Sequence, residues 1–80
     1  MNINIEELRA VFVEELGIDQ KMVADTLEYN TLAEWDSIAH MRLIVAIETK
    51  FDIMIDTDDV IEMSSFKVAV DIVNKYTNED

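Results

Sequence analysis

An 80-residue chain with one glycine, no proline and no cysteine makes one small domain, and its half-hydrophobic composition supplies a core without disulfides or a thiolate metal site. A net charge of −12 repels nucleic-acid phosphates and anionic lipid, and favours basic patches on other proteins, although acid content can also serve solubility alone. No apolar run nears the roughly 20 residues that span a bilayer, and the start Met-Asn-Ile-Asn-Ile-Glu-Glu lacks the basic and apolar parts of a secretory signal, so a cytoplasmic monomer without membrane insertion is expected.

Ile5, Leu8, Phe12 and Leu16 recur at intervals of 3, 4 and 4, which lines one face of a helix from about residue 3 to 16. Glu6 and Glu7 complement the positive end of its dipole, and Gly17 can supply a left-handed stop. A connection of about twenty residues follows, from 17 to 36. Loops of that length are uncommon unless functional. Its scattered apolar residues, Ile18, Met22, Val23, Leu27, Leu32 and Trp35, predict a segment packed over the core, with a single helical turn near Gln20–Val23.

The second helix is expected from Ser37 to Phe51. At 100° per residue, His40, Leu43, Ile44, Ile47 and Phe51 share an arc about 100° wide, a conventional core stripe. Ile38, Met41 and Val45 gather elsewhere, centred roughly 140° away. A second apolar stripe bordered by charge means burial on both sides or a docking surface. So few elements are available that docking is the preferred reading, with Glu48 on its rim.

Asp56-Thr57-Asp58-Asp59-Val60-Ile61 reads as a short third helix, capped by Asp56 or Thr57. Ser64 or Ser65 then caps a last helix, in which Phe66, Ala69, Val73 and Tyr76 recur at 3, 4 and 3, with Val70 and Ile72 widening the stripe. Thr77-Asn78-Glu79-Asp80 is polar and expected to fray. The sum is an all-α, four-helix bundle forming one domain over residues 1–80, with a long first connection and a short third helix.

Asp36-Ser37-Ile38 stands at the head of the second helix. Ser37 is either an ordinary N-cap or a point of covalent attachment; both are compatible if Asp36 caps instead. His40, one turn on, could serve Ser37 as a base, but a hydrolase also needs an orienting acid and an oxyanion hole, and no glycine-rich elbow exists to build one. A histidine at the edge of the core is the preferred reading. Trp35 reads as an aromatic that anchors the loop before Ser37. The acids between Asp52 and Glu62 do not keep calcium-loop spacing: Asp52, Asp56 and Asp58 are out of step and no glycine lies among them. No dedicated metal site is expected.

Glu-Trp-Asp-Ser-Ile (34 to 38), followed by Leu43, Ala46, Ile47, Glu48, Phe51, Ile55 and Ser64-Ser65-Phe66, resembles an acyl carrier protein. The likeness runs nearly end to end and includes Leu16-Gly17-Ile18 and the run Glu48-Thr49-Lys50-Phe51-Asp52-Ile53. It implies a non-enzymatic carrier. Ser37 would bear a 4′-phosphopantetheine arm installed from coenzyme A by a phosphopantetheinyl transferase, and acyl groups would be held as thioesters for acyl-loading and acyl-processing enzymes. The absence of cysteine accords with this, because the thiol must then come from the arm. Asp36 would help the transferase grip the domain. Ile38, Met41 and Val45 would centre the partner-docking face, and Val60 and Ile61 either flank the arm or close the core.

Housekeeping fatty-acid carriers are usually acidic just after the serine, whereas here Arg42 and His40 intervene. A positive charge on that rim points to a specialised pathway, such as polyketide, nonribosomal peptide or surface-polysaccharide modification. The competing readings are a carrier in a fatty-acid-related pathway, an aminoacyl or peptidyl carrier, and a small acidic interaction module with no covalent group.

Overall fold

In a computed structural model of the chain, residues 4–77 are described, and among them four α-helices are joined through one long loop. They are α1 (Ile5–Leu16), α2 (Ser37–Phe51), α3 (Thr57–Glu62) and α4 (Phe66–Thr77). This is the expected all-α arrangement, with the long first connection and the short third helix. The anticipated helix start near residue 3 and residues 78–80 of the polar end lie outside the described residues, whereas Thr77, expected to fray, closes α4 with its hydroxyl donating to the Val73 carbonyl.

Local signals set most helix ends. The Asn4 side chain accepts the Glu6 N–H at 2.9 Å, and Gly17, at φ 65°, ends α1 by donating its N–H to the Val13 carbonyl. Leu8, Phe12 and Leu16 are buried as their spacing predicts. Ile5 is not: the first turn lies outside the core, and Val11 is buried in its stead.

The long connection is packed, not free. It contains a 3-10 turn at Gln20–Met22 whose cap, Asp19, accepts the Lys21 N–H. Ile18, Val23, Leu27 and Trp35 are buried in it, whereas Met22 faces solvent. A loop run through the core must find partners for its backbone. Arg9 on α1 donates through Nε to the Val23 carbonyl at 2.8 Å, with its guanidinium over the Phe66 ring. The Tyr29 N–H donates to the Ser64 carbonyl at 2.8 Å, and the Phe66 N–H to the Leu27 carbonyl at 2.9 Å. These bonds fix the loop against the start of α4.

Phe12 centres the core, meeting Trp35 and Phe66 edge-on with ring centroids 5.3 and 5.0 Å away. Such pairs contribute about 0.5–1.5 kcal/mol each beyond the area they bury. Trp35, at the C-terminal end of the loop, therefore anchors the chain immediately before α2.

The six-residue α3 is too short to persist alone. Asp56 occupies its N-cap position but makes no side-chain cap bond, contrary to expectation. Other groups hold the helix. Asp59 is buried, accepts from Lys75 Nζ at 2.7 Å and from the Tyr76 hydroxyl, and that same hydroxyl accepts the Asp56 N–H. Upstream, Glu48 Oε2 accepts the Ile55 N–H at 2.9 Å. Ser65 caps α4 by accepting the Val68 N–H, and Phe66, Ala69, Ile72 and Val73 form its buried face. Among the described residues, no helix is long and apolar enough to cross a membrane.

Candidate functional site

Ser37 is the first residue of α2, not its cap. The cap is Asp36, whose carboxylate accepts the Ala39 N–H at 2.9 Å while its carbonyl accepts the His40 N–H at 2.8 Å. That division frees the serine. Its side chain is exposed and makes no hydrogen bond among the described residues. The backbone N–H groups of Ser37 and Ile38 in the same turn have no protein acceptor there, so they can face an anion.

Trp35 and His40 hold this head of α2 in place. The indole Nε1–H of Trp35 donates to His40 Nδ1 at 2.9 Å, and His40 Nε2 lies 2.9 Å from the Val60 carbonyl. An indole nitrogen only donates, so Nδ1 is bare, and Nε2 carries the proton that it donates to Val60. The histidine is a neutral bridge from the loop to α3. Both ring nitrogens are committed, so neither is available to take a proton from Ser37. This answers the hydrolase reading, and a core-edge histidine is what the structure contains.

Beside Ser37 opens a cavity of about 300 Å³ between α2 and α3, lined by Tyr29, His40, Met41, Val60, Ile61, Met63 and Ser64. Its walls are chiefly apolar. Val60 lines it half-buried, and Ile61, 74% exposed, forms its lip. Tyr29, Met63 and Ser64 carried no local signal for this role. They arrive through the pairing of the loop with the start of α4, which no periodicity encodes.

The second stripe of α2 is outward: Ile38 is 68% exposed, Met41 55% and Val45 59%. Arg42 is exposed next to it. Glu48 is half-buried, and its carboxylate accepts the Ile55 N–H. The acids between Asp52 and Glu62 have separate tasks. Asp52 ends α2 in the left-handed region at φ 56°, Asp56 precedes α3, and Asp59 binds Lys75 and Tyr76. No group of three or more His, Cys, Asp or Glu side chains among the described residues could hold a metal ion.

Comparison with known proteins adds to this geometry. The phosphopantetheine attachment site family matches residues 6–73, most of the chain. An acyl carrier protein of Karelsulcia muelleri (strain GWSS) is 32% identical over 76 residues, covering 95% of this chain and 87% of the relative. The group that such an attachment site takes is 4′-phosphopantetheine, and the free hydroxyl, the unpartnered N–H groups and the adjoining cavity fit a phosphate ester with an extended tail. The chain therefore belongs to the acyl carrier protein family, whose members are non-catalytic carriers with a phosphopantetheine attachment site.

Proposed function

We propose that Ser37 is the attachment residue and that the chain carries acyl groups for a specialised biosynthetic pathway. The observation that supports this most is the exposed hydroxyl of Ser37, without a hydrogen bond among the described residues, at a helix start where Asp36 has taken over the capping. When bound, 4′-phosphopantetheine supplies the terminal thiol that this cysteine-free chain lacks, and on it an acyl group is held as a thioester. The protein's own residues position and present. The N–H groups of Ser37 and Ile38 would face an ester phosphate on the serine, and Trp35 and His40 tie the loop and α3 to the first turn of α2. The apolar cavity under Ile61 shelters what lies nearest the serine. A tether raises the effective concentration of its cargo at each enzyme that docks.

Docking is assigned to Ile38, Met41 and Val45, with Asp36 and Arg42 beside them, Val60 and Ile61 across the cavity, and Glu48 acting indirectly through the loop before α3. The partners are a phosphopantetheinyl transferase and the acyl-loading and acyl-processing enzymes of the pathway, and the location is the cytoplasm. Incubation with coenzyme A, magnesium and a promiscuous phosphopantetheinyl transferase tests the attachment. The native chain should gain the mass of one arm and Ser37→Ala none; an unmodified native chain would instead favour a docking module without a covalent group.

Arg42 supports the specialised pathway. It places a positive charge where the basic patches of fatty-acid enzymes would meet repulsion, at about 1 kcal/mol per mismatched contact. Equal support of fatty-acid elongation by the native chain and by Arg42→Glu, at the level of a housekeeping carrier, would contradict that assignment.

A further inference from the structure

Next to the exposed stripe of α2 lies a second and larger depression, a groove of about 650 Å³ between α1 and α2. Its apolar lining is Val11, Met41, Val45 and Ala46. The charged lining differs in sign between the two helices. Glu14 and Glu15 come from α1, and Arg42 and Lys50 from α2. None of these four side chains forms an ion pair among the described residues, so the acids of α1 and the cations of α2 do not pair with each other. In a chain of six cations and eighteen acids, this groove takes two of the six cations. Met41 lines both this groove and the cavity beside Ser37, so the two adjoin at that side chain.

We propose that this groove receives an amphipathic helix of a partner enzyme, apolar along its buried edge, with carboxylates set toward Arg42 and Lys50 and lysine or arginine toward Glu14 and Glu15. The dimensions suit that occupant. Arg42 and Lys50 are eight residues apart, about 12 Å along α2, which is two turns of a facing helix. A partner read only by net charge would be uniformly basic, whereas this one must carry both signs. A second copy of the chain is disfavoured, because it would bring another twelve negative charges to the contact. The proposal rests on the carrier reading only in calling the partner an enzyme that acts on the arm.

Two synthetic helical peptides of equal length, sharing a leucine edge, test it. One is flanked by lysines on one side and glutamates on the other; the second has lysines on both. Each is titrated into the 15N-labelled full chain at physiological salt while amide shifts are followed. The mixed peptide is expected to shift Val11, Met41, Val45 and Ala46 and to bind roughly fivefold tighter than the all-lysine one, on the scale of two exposed pairs gained and two repulsions removed. Arg42→Gln and Lys50→Gln, both at exposed positions, should each narrow that preference. Equal or tighter binding of the all-lysine peptide, shifts centred on α4, no binding of either, or groove shifts that depend on protein concentration alone would overturn it. Mass spectrometry of the same preparation after transferase treatment reports the carrier reading independently. An arm gained while the all-lysine peptide wins sinks only the groove proposal; no arm gained sinks the carrier reading instead.

Discussion

His40 shows how one side chain can look catalytic and be structural. Three residues after a free serine on a helix, it has the spacing of a base, yet Trp35 and Val60 occupy its two nitrogens. His40→Ala should leave the buried indole N–H and the Val60 carbonyl without partners, costing about 1–3 kcal/mol in urea denaturation, with little effect on whether Ser37 accepts an arm. A loss of less than a few tenths of a kcal/mol would mean that water replaces the bridge at no expense. The sequence placed His40 at the core edge through its phase with Leu43 and Ile44. It could not reveal the bridge, because Trp35 comes from the loop and Val60 from twenty residues downstream.

Between neighbouring elements, the stops differ in how readable they were. Gly17 ends α1 at φ 65° with open space where a Cβ would sit, so Gly17→Ala incurs backbone strain but no clash, about 1–2 kcal/mol. Asp52 does the same work for α2 at φ 56° with a side chain that tolerates it only partly. Asp52→Gly should therefore stabilise the fold by several tenths of a kcal/mol, measured as a shift in the urea midpoint. Asp36→Ala removes the cap of α2 and should cost about 1 kcal/mol while loosening the turn that presents Ser37. The helices were legible because hydrophobic phase and capping are local properties, and the bounds of α2 were as expected. The core phase of Ile5, the exposure of Met22 and the missing side-chain cap of α3 were not. Each depends on which distant element comes to cover it.

On the scale of the molecule, α3 is fastened to α4 by the buried Asp59. Hydrogen bonds from Lys75 and then Tyr76 hold its carboxyl below the ordinary carboxylate value. The bond to Asp59 raises both the Lys75 ammonium and the Tyr76 phenol above theirs. The depressed Asp59 adds stability that is present above the ordinary carboxylate value and is lost as pH falls through its lower folded value. The raised Lys75 and Tyr76 add stability that is full below their ordinary values and is lost as pH climbs through the higher folded ones. Melting curves of native chain and Asp59→Asn should thus lie furthest apart at neutral pH and converge at both extremes; a constant gap would assign the loss to packing. The two stripes of α2 were readable from the wheel, but the groove between α1 and α2 was not, since only the folded chain sets Glu14 and Glu15 opposite Arg42. The bridge from Trp35 to Val60 has a further use. Trp35 is the chain's single indole, and it reaches through one imidazole to the helix that roofs the cavity beside Ser37. A group that displaced Val60 would strain that link, and the change should register in the fluorescence of this one indole, with no dye attached.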